Sequence, residues 1–332
     1  MLGKKLAIDL GSSALRVHVR GEGISLAEPS LVAADADGRF LSFGIEALHR
    51  AQRGDVVLRR PIADGQVADA AALDALFALI VNRVAGRQRI FKPDVMVVVA
   101  SSMNGPDRRA VMEVATHAGA RTTYLIDAPL AAAIGAGLPV SGPDGHLVVH
   151  LGGSTSDIAV ISREGAIASQ CLVHGGGHLT ARLQEHVERR SGVLLDESTA
   201  EEAKREVGSA VAPHEERVIT LSGLDRRRAE PGEVTVSSTE VCVLAREHLR
   251  VAATAVDAVL ADTPAALLAD VRERGGMLTG GATRLRGTDR LLAAVTGLPM
   301  QTASDPENCA TRGGAAAIEN LDVLRRNFLY IR

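Results

Sequence analysis

The sequence predicts an α/β fold of two similar lobes, each built on a mixed sheet flanked by helices and each carrying a small inserted subdomain. Three observations predict it. The chain has 332 residues, more than one ordinary core accommodates and about right for two. At 46% hydrophobic and 23% charged, it has the composition of a globular protein. In mid-chain, LVVHLGGSTSDIAVIS repeats in character the opening LAIDLGSSALRVHV: a strand, a glycine-serine turn and a second strand.

Taken in order, KLAIDL and ALRVHV read as a β-hairpin, because parallel strands need a longer crossover. Residues 31–60 are mixed and turn-rich, the first inserted subdomain. Between 70 and 85, Leu73, Leu76, Phe77, Leu79, Ile80 and Val84 follow helical spacing. DVMVVVAS is the continuous apolar run of a strand buried on both faces. In GPDRRAVMEVATHAGA, Pro106 marks a helix start and Gly119 its end. TTYLID is a strand, APLAAAIGAG a small-residue helix, and LPVSGPDG a linker to the second half. There, helical segments at 179–190 and 198–207 precede a polar, arginine-rich region at 209–239, the second inserted subdomain. A helical pattern over 240–260 leads to GGMLTGGATRLRG, a strand entering a third glycine turn, and the end of the chain is mostly helical.

Composition excludes several classes. A net charge of -3 and a pI near 6.4 leave no electrostatic footprint for nucleic acid, which is not expected as a partner. With no Trp, two Tyr and five Phe, base-stacking platforms are absent as well. Cys171, Cys242 and Cys309 have no metal-ligand spacing, and their odd number argues for a reducing compartment. The apolar run after the first lysines is broken at Asp9, unlike a signal peptide, and the longest wholly apolar run, 95–100, is too short to span a bilayer. The expected location is the cytoplasm.

Glycine-rich turns bind phosphates because converging backbone N–H groups meet the anion and no side chain blocks its approach. One such turn is ordinary hairpin geometry. Two at equivalent places in two half-chains, with a third leaving a strand, point to a phosphate-bearing ligand between the lobes. The P-loop and the dinucleotide-binding fingerprint are both missing from the sequence.

The order DLGSS, LGGSTSD, TAEEAKREVGSA and LTGGATRLRG resembles the superfamily of actin, hexokinase and the heat-shock chaperones. Within it, AIDLGSSALRVHVRGEGISLAEPS, RRPIADGQVAD and APLAAAIGAGLPV look like the MreB/Mbl family of bacterial actins, nearly end to end. The resemblance implies an actin-like duplicated fold around a nucleotide cleft. Its subdomains would be IA (1–30, 65–140 and 318–332), IB (31–64), IIA (141–182 and 245–317) and IIB (183–244). It also implies ATP or ADP with Mg²⁺, filaments of head-to-tail subunits, and a role with the cell-wall synthesis machinery in cell shape.

Carried over by motif, Gly11, Ser12 and Ser13 would meet the β- and γ-phosphates, and Gly152, Gly153, Ser154 and Thr155 would form the facing loop. Asp9 would hold Mg²⁺ through water. Glu201, Lys204 and Arg205 share a helix face and match the adenosine-side segment; by spacing alone they read as a solvated charged face. Gly280 and Gly281 would back the base and ribose, with Ala282 and Arg284 beside them. Arg16 falls where actin has a phosphate-contacting lysine, or is an exposed strand residue.

The departures concern catalysis. The family's water-positioning Glu before the helix proline is here Ala128, the Asp opening its second phosphate loop is His150, and a further Asp is His178. Losing groups each worth about 10²–10⁴-fold makes weak or absent hydrolysis the expectation. Asp127, next to Ala128, is the one catalytic candidate, set against an exposed loop acid or a helix N-cap. In RIFKPDV, Ile90 and Phe91 among basic residues match the family's membrane loop, which would put the protein at the inner face of the cell membrane; the other reading packs Phe91 on the neighbouring helix. A small-molecule kinase or a regulatory ATPase of the same superfamily is the alternative function.

Overall fold

The structure, a computed structural model, describes residues 3–86, 91–321 and the backbone of 330–331. The opening segment folds as an antiparallel meander of Lys5–Leu10, Ala14–Val19 and Gly23–Pro29, the last a strand the sequence reading did not assign. Asp94–Val99 and Thr122–Asp127 extend its other edge in parallel, and Tyr330–Ile331 closes that side antiparallel. The second half repeats this plan. His146–Leu151, Ser156–Ser162 and Gly165–Leu172 form the meander, and Gly276–Thr279 and Met300–Thr302 add to it in parallel. The duplication seen at the turns therefore runs through both sheets in one strand order.

Side-chain alternation sets the faces. Leu6, Ile8 and Leu10 with Leu15, Val17 and Val19 pack into one core with the helices Ala70–Ala85 and Gly105–His117. Both helices start on local chemistry: Asp69 accepts from the Ala72 N–H, and Asn104 accepts from the Asp107 N–H with Pro106 in the first turn. The opposite face, which carries Ala7 and hence Asp9, turns toward the other lobe. There a central cluster joins Ala7, Met96 and Val98 of one sheet to Val148, Ala159 and Ile161 of the other.

Two crossed helices, Ala128–Gly135 and Cys309–Glu319, fill that central layer. Their approach is set by glycine. A Cβ at Gly135 would lie 1.8 Å from the Cys309 carbonyl oxygen, and one at Gly313 would lie 1.7 Å from that of Ala131. Lys5, buried at the start of the first strand, donates to the Ile318 carbonyl at 2.8 Å and satisfies the end of the second helix. The phosphate-type turns sit above this crossing, one on each sheet.

The inserted segments fold as small sheets. Val32–Ala34, Phe40–Phe43 and Val57–Arg59 form one, with a helix at Gly44–Gln52 inside the stretch that reads as mixed and turn-rich. Val193–Leu194, Val218–Asp225 and Glu230–Ser237 form the other, covered by Gly176–Ser191 and Glu197–Val207. A capping box of Ser237 and Glu240 starts the long helix Ser238–Ala261. Helices Ala265–Arg274 and Thr288–Thr296 were not legible in the sequence. Among the described residues, no helix is long and apolar enough to cross a membrane.

Candidate functional site

The two glycine turns meet. Ser154 donates to Ser12 Oγ at 2.7 Å, and a Cβ at Gly153 would fall 2.2 Å from Ser13 Oγ. The Gly152 N–H bonds the Thr155 carbonyl at 2.8 Å and closes the second turn on itself. Behind it lies the glycine run 175–177, to which the sequence reading gave no task. The N–H groups of Gly176 and Gly177 donate to the carbonyls of Gly152 and Gly153 at 2.9 and 2.7 Å, and a Cβ at Gly175 would come 2.6 Å from the Gly153 carbonyl. The signal was available: three glycines opening a helix have no helical purpose, since glycine weakens helices.

The third turn joins the same place. Gly280 has φ of +88° and packs on the Leu151 carbonyl, while a Cβ at Gly281 would meet nothing within 4 Å. The Ala282 methyl and the Lys204 ammonium lie 3.1 and 3.6 Å from a Cβ built on Gly176. Lys204, whose side chain is 12% exposed, donates to the Gly176 carbonyl and Thr180 Oγ1, each at 2.9 Å, and pairs with Glu201 at 2.5 Å. Burial lowers the Lys204 pKa, against the pull of Glu201; burial alone would raise that of Glu201, but Lys204, Thr180 and Arg205 together hold it below its usual value. Glu201 and Lys204 thus form a strut under the glycine run, and Arg205 reaches solvent at 75% exposure. Arg284 and Arg16 both approach Glu307, at 2.9 and 3.6 Å, so a chain of charges links the first turn to the third.

Below the turns, each sheet aims one cross-strand pair at the central layer: Asp9 with Arg16 in the first, His150 with Asp157 in the second. The charges are swapped between the copies. Asp9 accepts from Thr311 Oγ1 at 3.3 Å; burial raises its pKa, opposed by the nearby His150 and Arg16. His150 Nδ1 meets Thr279 Oγ1 at 3.1 Å, and its Nε2 lies 4.0 Å from a Cβ built on Gly152, inside the turn. Asp9 suits a hydrated Mg²⁺: it is a hard oxygen donor, and its one hydrogen bond is a long one. Among the described residues no group of three or more ligating side chains gathers, so such an ion would arrive on a phosphate ligand.

With this geometry in place, comparison with known proteins decides the family. The family model described as "MreB/Mbl protein" matches residues 3–326. The chain belongs to the MreB/Mbl family. It is 38% identical to the cell shape-determining protein MreB of Escherichia coli, over 97% of this chain and 95% of that one. Structures of MreB5 of Spiroplasma citri bound to ADP or AMPPNP superpose with a TM-score of 0.91 over 98% of this chain and 99% of theirs, at 27% and 26% identity. A subunit of a MamK double helical filament shares the fold, with a TM-score of 0.80 at 18% identity over 95% of this chain and 99% of its own. The actin-like duplicated fold follows from these matches.

Against the MreB/Mbl pattern, the position expected to orient water is Ala128, which is buried. Asp127 stands at the N-cap position of its helix but makes no capping bond. Its carboxylate is taken by Arg108, which donates to Oδ1 at 2.6 Å. Burial nonetheless raises its pKa, against Arg108 and helped by the charge of Asp157. Asp157 is the acid that sequence reasoning passed over. It sits on the strand after the second turn, and only the partner lobe shows which way it works. Of the two residues expected to form a membrane tip, Phe91 is 50% exposed and Ile90 lies outside the described residues.

The MreB/Mbl aspartate that becomes His178 here leaves a local solution. His178 Nδ1 accepts from the Gly175 N–H at 3.1 Å and caps the helix as an acid would. It belongs to a stack. The His174 ring lies 5.7 Å from that of His178 and 4.0 Å from that of His248. His248 is buried, its Nδ1 has no partner, and burial together with the positive potential of its neighbours drops its pKa to about 3. Unfolded, the same imidazole binds its proton near pH 6.5. The unfolded state therefore holds more protons between these values, and stability falls as pH drops below about 6.5, by up to about 1.4 kcal/mol per unit for this group. Urea unfolding at pH 7.5 and 5.5 is expected to show that loss, with His248→Gln flattening the slope; equal slopes would rule the histidine out as its source.

Proposed function

We propose that the chain binds ATP and ADP between the two glycine turns and assembles head to tail into filaments that organise cell-wall synthesis and cell shape. The meeting of Ser12 and Ser154 carries this reading: the turns of two duplicated hairpins come together there, and glycine-rich turns offer backbone N–H groups to a phosphate. In support, the similar Spiroplasma citri protein has been seen with ADP and with AMPPNP. Asp9 would hold Mg²⁺ through water, and the ion would offset phosphate charge. Gly281 and Ala282 would back the base, with Arg284 at the rim. Subunits joined through unlike surfaces grow as open filaments, and a ligand spanning the two lobes biases the conformation that stacks. The subdomain limits given above for IA, IB, IIA and IIB belong to the same proposal. So does peripheral contact with the inner face of the cell membrane, for which the exposed Phe91 beside Lys92 is the apolar tip.

Hydrolysis is slow in this reading, because Ala128 and His150 stand where the family carries carboxylates. The test is a set of parallel assays on purified protein: affinity for a fluorescent ATP analogue, sedimentation with ATP or AMPPNP, and phosphate release. Micromolar affinity, nucleotide-dependent pelleting, and release at least about tenfold below a family member with both carboxylates are expected. Absence of binding would refute the cleft assignment, and binding without pelleting would refute the filament. Turnover at the relative's rate would refute slow hydrolysis.

A further inference from the structure

Asp157 is the most confined acid of the cleft. It is 1% exposed. Its Oδ1 accepts from the Ser101 backbone N–H at 3.0 Å and also from the Ser101 hydroxyl, so the first lobe fixes one oxygen of a residue on the second. Its Oδ2 is buried and has no hydrogen-bond partner. A buried carboxylate oxygen left bare forfeits its hydration without return, so this oxygen calls for a donor.

The neighbouring groups do not provide a strong one. Asp127 is itself acidic and its Oδ1 is held by Arg108. Cys171, the cross-strand partner of Asp157, turns its thiol to Ser102 Oγ at 3.3 Å, and burial with the Asp157 charge pushes its pKa up to about 11. A protonated thiol is a weak donor. Water brought in with a ligand is the remaining candidate. The place fits: Asp127, which feels the Asp157 charge, directly precedes Ala128, the start of the helix where the family's water-positioning Glu is missing.

We propose that Asp157 Oδ2 holds the water that attacks the γ-phosphorus, in place of the absent Glu; this rests on the nucleotide reading above. The water oxygen bonds to the γ-phosphorus. The bond from that phosphorus to the β–γ bridging oxygen breaks, and its electron pair leaves with ADP. The water proton passes to Asp157 Oδ2 and from there to an oxygen of the new phosphate, which carries it away on release. Ser101 keeps the carboxylate from rotating, which couples this step to lobe closure: the acid is aimed only when both lobes are together.

The experiment measures nucleotide affinity and single-turnover phosphate release on wild type, Asp157→Asn and Ser101→Ala. Affinity within about twofold of wild type is expected for both variants, with release slowed at least about tenfold in Asp157→Asn and severalfold in Ser101→Ala. Wild-type release from Asp157→Asn overturns the proposal, as does affinity falling in step with rate, the sign of a purely structural clasp. Should Asp157→Asn fail to fold, Ser101→Ala decides alone, and an unchanged rate there overturns it. Nucleotide bound by wild type with no release above buffer also overturns it. Failure of the nucleotide reading itself would appear separately, as no binding by wild type.

Discussion

Gly313→Ala is expected to lower the unfolding free energy by about 3 kcal/mol, with Gly135→Ala close behind. Each added methyl would overlap a carbonyl oxygen of the opposite helix, at 1.7 and 1.8 Å. No side-chain rotation relieves this, because the obstacle is backbone in the middle of a regular helix. The helices must part by an ångström or more, and each is pinned elsewhere. A Cβ built on Gly314 would already come 2.9 Å from Val98 Cγ2 of the first sheet, and Ala131, Ala132 and Ala133 are buried in the central cluster. Separation therefore loosens the one core that touches both sheets. Thermal denaturation should show a midpoint lower by roughly 4 °C. Gly137→Ala, at φ of +80° with nothing within 4 Å, isolates the backbone cost and should lose only about 1 kcal/mol. Equal losses at Gly313 and Gly137 would show that the helix crossing has room.

Lys204→Met should cost about 2–3 kcal/mol and weaken nucleotide binding at least about tenfold. Methionine keeps the apolar stem but removes a cation with three acceptors: Gly176 O, Thr180 Oγ1 and Glu201. Glu201, 31% exposed, is partly rescued by water and Arg205, which keeps the loss below that of a fully buried broken pair. The Gly176 carbonyl keeps the longer bond from the Thr180 hydroxyl, at 3.2 Å, in place of the ammonium, and Gly176 also bonds Gly152 of the second turn. The damage thus passes from the strut to the turn. Urea unfolding and affinity for a fluorescent ATP analogue read the two effects. Adding Glu201→Gln to Lys204→Met should cost less than the sum of the single changes, because the Lys204–Glu201 pair is already broken. Full additivity would show that the pair does not act as a unit.

Much of this architecture was written in local pattern. DVMVVV announces a strand buried on both faces, and it is one; the two Gly-Ser turns mark the hairpins where the lobes meet. The inserted helix Gly44–Gln52 and the helices Ala265–Arg274 and Thr288–Thr296 were not legible, since short helices among turn residues take their stability from the surface they land on. At the site, the candidates for the three glycine turns and Asp9 gathered in one cleft, whereas Asp127 was drawn off by Arg108, far away in sequence.

The sequence by itself determined the duplicated strand-turn-strand units, the glycines that let them approach, and the presence of Ala128, His150 and His178 where the resemblance implies acids. These depend on period and on residue type, which are local properties of the chain. Only the tertiary structure decided that Lys204 props a loop from behind, that His248 is kept uncharged, and that Asp157 presents one bare oxygen between the lobes. Each of those follows from what lies opposite a side chain once distant strands and helices pack, and a charge or a hydrogen bond acquires its meaning from that partner.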